Sequence, residues 1–188
     1  MPRRGSLTEK NPRAEPPELD SVIRRRYVSL EPTQKESMER LKLKHLEAMV
    51  DREVGTSDWL EMTQERINAF AECTEDRQWI HVDEDRARKS PLKSTVAHGY
   101  LLLALLPHFN FQNRLFQSRI RMAVNYGLDR VRFIHPVRPG DRIRNRAVLK
   151  KVEKRGSRKV LLTVENTIEI EGASKPALVA EELGLLYL

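Results

Sequence analysis

The chain has 188 residues, a hydrophobic fraction of 39% and a formal net charge of +7. That is enough for one well-packed domain with a tail, and too little for two ordinary domains. The longest apolar run, Tyr100 to Pro107, is flanked by polar residues and falls far short of the roughly 20 apolar residues that span a bilayer. The N-terminus lacks the apolar core of a secretory signal, and Glu9, Glu15, Glu18 and Asp20 are too acidic for an organelle transit peptide. A soluble, cytoplasmic protein is expected. One cysteine, Cys73, excludes an internal disulfide and a cysteine-based metal site; it reads as a small core residue on a helix.

Residues 1–35 contain Pro2, Pro12, Pro16, Pro17 and Pro32 with few apolar groups. Such a segment cannot bury enough surface to offset its ordering entropy, so a disordered or loosely docked extension is expected. Residues 36–188 are then a single domain. From Lys35 to Val50, Met38, Leu41, Leu43, Leu46, Met49 and Val50 recur mostly at helical steps, indicating an amphipathic helix that ends by Gly55. Trp59, Leu60 and Met62 suggest a short edge strand. Thr63 is a helix N-cap, and Ile67, Phe70 and Ala71 give the helix that follows, ending near Thr74.

A bent loop from Asp76 to His81 comes next, then a helical turn over Asp83 to Lys89 that Ser90-Pro91 stops. Thr95 to about Leu106 is apolar nearly all round, which predicts an enclosed helix closed or kinked by Pro107. The last third alternates with period two, predicting strands around Ile120–Val124, Val131–Ile134, Ile143–Leu149, Val160–Val164, Thr167–Ile170 and Leu178–Leu188. Turn chemistry lies at Tyr126-Gly127, Pro139-Gly140-Asp141, Arg155-Gly156-Ser157 and Glu171-Gly172. Short links imply an antiparallel meander curled around the apolar helix, an α+β architecture.

Asp76 and His81 lie five residues apart, a spacing that puts them about 140° apart on a helix and on opposite faces of a strand. Only a bent loop brings them together. There an Asp and a His could hold a water between them near neutral pH; on spacing alone, a surface pair is the commoner explanation. Gly99 in Val96-Ala97-His98-Gly99 has no side chain to block its N–H, which in the first turn of a helix has no intrahelical partner and would stabilise an oxyanion. Close packing of the helix on the sheet explains a glycine there as well. His98 reads as structural, hydrogen-bonded near the helix start.

The five histidines have no metal-ligand spacing, so no metal is expected, and neither the phosphate-binding loops of nucleotide enzymes nor the Gly-x-Ser-x-Gly elbow of hydrolases is present. Between Arg114 and Lys159 there are fifteen Lys/Arg against three acidic residues, so the basic charge is local. It fits a solvated sheet face or the phosphates of a small ligand; without a nucleic-acid motif, nucleic acid is an unlikely partner.

The block Phe70-Ala71-Glu72-Cys73-Thr74-Glu75-Asp76-Arg77-Gln78-Trp79-Ile80-His81-Val82-Asp83, followed by Ala87 and Val96-Ala97-His98-Gly99-Tyr100, resembles the MaoC-like acyl dehydratases, which include the R-specific enoyl-CoA hydratases. Asn125 to Phe133, Pro136 to Asp141 and Glu171 to Ala177 resemble its nodulation protein N-like branch in particular. The resemblance covers roughly residues 36–188. It implies a hot-dog fold, a curved antiparallel sheet wrapped around one long central helix, usually paired as a homodimer. It also implies reversible syn hydration of trans-2-enoyl thioesters of coenzyme A or acyl carrier protein, without a cofactor. Asp76 and His81 would be the acid/base pair, Gly99 N–H would polarise the thioester carbonyl, and coenzyme A phosphates are a candidate partner for the basic strands. Gln78-Trp79 stand where enoyl-CoA hydratases commonly carry Asn-Pro, and Pro107 where they use a serine, so chain-length preference cannot be carried over. A non-catalytic acyl-thioester binding module and a hot-dog thioesterase are the alternatives.

Overall fold

The computed structural model describes residues 43–113 and 122–187. The expected extension over 1–35, the first half of the first predicted helix and the predicted strand start at Ile120 lie outside them. In chain order the elements are α1 (Leu43–Glu47), β1 (Glu53–Thr56), β2 (Leu60–Glu61), α2 (Gln64–Thr74), α3 (Trp79–Val82), α4 (Glu84–Lys89), α5 (Gly99–Ala104) and α6 (Leu106–Asn110). The long strands β3 (Met122–Phe133), β4 (Arg142–Lys154), β5 (Lys159–Ile170) and β6 (Leu178–Tyr187) follow.

Period-two alternation builds the sheet. On β4, buried Ile143, Asn145, Ala147 and Leu149 alternate with the partly exposed Arg144, Arg146 and Val148, so one face meets the helices and the other solvent. All pairings are antiparallel, in the order β1-β4-β5-β6-β3, with β2 beside the start of β4. Leu101 and Leu102 of α5 and Leu106 and Phe109 of α6 pack onto Ile143, Ile168, Leu178 and Ala180 in one apolar cluster. Each such fully buried Leu or Phe is worth roughly 1.5–3 kcal/mol. A second cluster gathers Leu46, Val54, Ala147, Leu149, Leu162, Val164 and Leu186.

Several expectations hold. Thr63 caps α2, its hydroxyl accepting from Arg66 N–H at 3.3 Å, and Gly140, Gly156 and Gly172 turn the chain with φ of +90°, +88° and +76°. Others need correction. The apolar helix begins only at Gly99, breaks at Leu105 and resumes as α6 through Asn110, so two short helices stand where one long one was expected. Pro107 has no N–H to offer the Leu103 carbonyl, which removes a hydrogen bond at the break. Nor is this helix enclosed on all sides: Leu101, Leu102 and Leu106 face the sheet, while Tyr100 is 68% exposed.

Tyr126-Gly127 is not a turn either. The strand β3 runs straight through it against β6, and the surplus residues are taken up as register shifts between Asn125 and Gly127 and between Leu128 and Arg130. The two predicted strands at 160–164 and 167–170 are one strand, β5. Cys73 is exposed rather than core, because α2 buries Ile67 and Ala71 and two further residues rotate about 200° around the helix. Among the described residues no helix is long and apolar enough to cross a membrane.

Gly55 lies within β1, where an added Cβ would clash with Asn113 Oδ1 and sit 3.0 Å from the Asn113 Cα. Gly55→Ala should therefore lower stability by about 1–3 kcal/mol, measured as a fall in urea midpoint with unchanged m-value.

Candidate active site

Three segments converge to make the site. At the C-terminus of α2, Glu75 takes a left-handed φ of +62°, a conformation costing roughly 1–2 kcal/mol without glycine, and turns the chain to present Asp76. The loop is tied back to α2 by a two-pronged bond from Arg77 to Glu72, at 2.9 and 2.8 Å. The second segment, α3, is a single helical turn that carries His81 inward to 7% exposure; the Arg86 guanidinium rests 4.4 Å above the Trp79 ring at its start. The third, Thr95 to His98, leads into α5 and is tied down at two adjacent residues, Val96 N–H donating to the Ile80 carbonyl at 3.0 Å and Ala97 N–H to the Val137 carbonyl at 2.8 Å.

His81 is held by one bond, from its Nδ1 to the Val96 carbonyl at 2.7 Å. A carbonyl only accepts, so Nδ1 carries the proton and Nε2 keeps its lone pair. The His98 ring stacks on His81 with centroids 3.7 Å apart and planes 24° apart, and Phe70 leans on His98 at 5.1 Å. His98 Nε2–H donates to the Asp76 backbone carbonyl at 2.9 Å, fixing the loop from inside. Ligand atoms of Asp76, His81 and His98 all lie within 4.8 Å of one another, with both rings buried and Asp76 exposed. Asp76 and His81 thus come together as expected, by a loop and one helical turn rather than a loop alone.

Burial is the main reason the His81 pKa lies below the ordinary value, with the Val96 bond opposing it, His98 adding to it and Asp76 opposing it. The neutral base is the resting form. The proximity of this trio would also admit a metal, which linear spacing did not suggest. The rings do not suit one: their lone pairs lie in nearly parallel planes 3.7 Å apart and cannot both aim at an ion about 2 Å from each nitrogen.

Gly99 opens α5, so its N–H has no carbonyl within the helix. A Cβ there would meet the Phe133 ring at 2.9 Å, so close packing by itself requires the glycine. Nothing in the linear pattern marks Gln64, yet it braces the site: its Nε2 donates to the His81 carbonyl at 2.8 Å and its Oε1 accepts from the Thr95 hydroxyl. His98 was legible as structural, but not its stacking or its hold on Asp76.

Part of the basic stretch is a paired sheet face. Arg144 and Arg146 flank Glu169 at 2.8 and 3.2 Å, Arg142 meets Glu171 and Lys150 meets Asp51. Burial works against the Glu169 carboxylate, but the two guanidiniums hold its pKa below the ordinary value.

The sequence profile of the MaoC like domain matches residues 45–172. The chain is 46% identical over 138 residues to 3-hydroxyacyl-thioester dehydratase Z of Mycobacterium tuberculosis, covering 73% of this chain and 91% of that protein. It is 43% identical over 150 residues to Nodulation protein N of Rhizobium meliloti, covering 79% and 92%. Among solved structures, a monoamine oxidase regulatory protein from Archaeoglobus fulgius superposes with a TM-score of 0.65 at 21% identity, over 73% of this chain and 90% of that one. An (R)-hydratase from A. caviae involved in PHA biosynthesis superposes at 0.59 and 19%, over 72% and 94%. The shared fold is the hot-dog arrangement expected from the sequence.

The folded-state pKa of His81 is depressed, so the native protein binds fewer protons there than the unfolded chain. The stability this residue contributes is present above the unfolded value of about 6.5 and is lost as pH falls from there through the folded value. An NMR titration should place the His81 midpoint below about 6.5, and His81→Gln should flatten that part of the stability–pH curve.

Proposed function

Since the chain belongs to the MaoC-like dehydratase family, we propose that it catalyses the (R)-specific, reversible hydration of trans-2-enoyl thioesters, the reverse being dehydration of 3-hydroxyacyl thioesters. The supporting observation is the meeting of the Asp76 carboxyl and a His81 ring nitrogen within 4.8 Å.

A water held between them gives a proton to the free His81 Nε2 while its oxygen bonds to C3 of the enoyl group. Electrons from the C2–C3 double bond move to the thioester oxygen, which the Gly99 N–H steadies as an enolate. A proton from the pair then goes to C2, restoring the carbonyl. Asp76, exposed at the mouth, orients the water and shares in this proton traffic; His98 and Gln64 touch no reacting atom and position the pair. Coenzyme A or acyl carrier protein bears the acyl group, and the setting is cytoplasmic.

The working unit is a homodimer. At the sheet edge β3 exposes Met122 (48%), Tyr126 (63%) and Leu128 (43%), and a long apolar edge strand left unpaired is a template for a second copy. Sedimentation should give a dimer mass, and Tyr126→Lys should shift the protein toward monomer.

Hydration of trans-2-butenoyl-CoA, followed by loss of the enoyl absorbance, tests the activity. Asp76→Asn and His81→Ala should each reduce turnover at least about 100-fold with the circular dichroism spectrum unchanged. Full activity in either variant would sink the assignment. Release of thiol from saturated acyl-CoA would instead indicate a thioesterase, and saturable binding without turnover a silent binding module.

A further inference from the structure

The apolar core of this protein is cut by a polar stripe that the acid/base chemistry does not use. Asn145 sits on β4 between Ile143 of one apolar cluster and Ala147 of the other, and Asn166 on β5 between Val164 and Ile168. Both are fully buried. Asn145 Nδ2 donates to Asn166 Oδ1 at 2.7 Å and to Asn110 Oδ1 at 3.0 Å, and Asn113 Nδ2 also donates to Asn110 Oδ1. Asn110 Nδ2 and Asn166 Nδ2 both donate to Glu182 Oε2, at 2.8 and 3.2 Å. The donors run one way and end on a single carboxyl oxygen.

Glu182 in turn lines a groove of about 560 Å³ whose walls include Tyr100, Leu103, Leu106, Pro107 and Leu128. The groove does not contain the Asp/His pair; it begins one residue along α5 from Gly99. From Gly99 to Pro107 is about 12 Å at 1.5 Å per residue, the reach of an acyl chain of eight to ten carbons. Glu182 also borders a small cavity of about 30 Å³, room for a water. The two carboxamides occupy one of its oxygens, Oε2, while the residue lines both spaces. Burial, opposed by the Asn166 and Asn110 bonds, raises the Glu182 pKa.

We propose that Glu182, held by Asn110 and Asn166, is the specificity-determining residue at the far end of the acyl groove, and that it selects acyl groups bearing a hydroxyl toward the end of the chain. This rests on the hydratase reading given above. A plain alkyl terminus would desolvate the carboxyl without replacing its hydrogen bond, whereas a hydroxyl donates to it. Glu182 acts on binding of the distal chain, so its effect belongs in kcat/KM for long substrates and vanishes for a chain too short to arrive.

The test uses the full chain with three enoyl-CoA substrates: the butenoyl, the trans-2-octenoyl and its 8-hydroxy analogue. The wild type should hydrate the 8-hydroxy substrate with kcat/KM about tenfold or more above the octenoyl. Glu182→Gln, which offers an oxygen to the two carboxamides and an N–H to the groove, should keep that preference. Glu182→Leu should reverse it while leaving butenoyl turnover near the wild-type rate. Equal or better use of plain octenoyl by the wild type would overturn the proposal without any variant, as would an unchanged preference in a Glu182→Leu protein that still hydrates butenoyl. Failure of the wild type on butenoyl and both longer substrates would instead strike the hydratase reading itself.

Discussion

The bond from His81 Nδ1 to the Val96 carbonyl, 2.7 Å long and buried, is the contact on which the site depends. It sets the tautomer, and with it which nitrogen is basic. It also ties the one-turn helix α3 to the segment that leads into α5, so the imidazole and the Gly99 N–H are placed by the same piece of backbone. Val96 is itself fixed by its own N–H on the Ile80 carbonyl, beside His81. Two residues fifteen apart in sequence thereby hold each other in register from both sides. His98 completes the clamp, its ring lying on His81 and its Nε2 holding the loop that carries Asp76.

This arrangement explains why burial matters more here than charge. Desolvation favours the neutral imidazole, and a neutral ring can lie at 3.7 Å from a second ring where two imidazolium ions would repel. Asp76 stays exposed, so the pair sets a buried imidazole beside a solvent-facing carboxyl.

Much of this was legible in the sequence, for physical reasons that differ by element. Period-two alternation placed the long strands because one face of the sheet is buried and the other is not; Thr63 was readable because only a capping side chain satisfies the first N–H groups of α2. Tyr126-Gly127 was misread because a bulge and a turn use the same residues, and only pairing with β6 decides between them. Cys73 was misplaced because burial depends on which face of α2 the neighbours cover, not on residue type. Asp76 and His81 were separable from surface decoration only by the order of motifs around them. Gln64 and the Asn145–Asn166–Glu182 stripe were beyond reach: their partners lie up to 72 residues away, and no local pattern announces a contact of that separation. Helix periodicity likewise showed α5 as apolar all round without showing that one flank would line a groove.

The central claim is that one acid/base pair on a single side of the site adds both parts of water. Hydration of trans-2-butenoyl-CoA in deuterium oxide measures this directly, through the relative configuration at C2 and C3 of the product read by NMR coupling. Syn addition with the R configuration at C3 is the expected result. Anti addition, or a mixture of the two diastereomers formed during turnover, would contradict it.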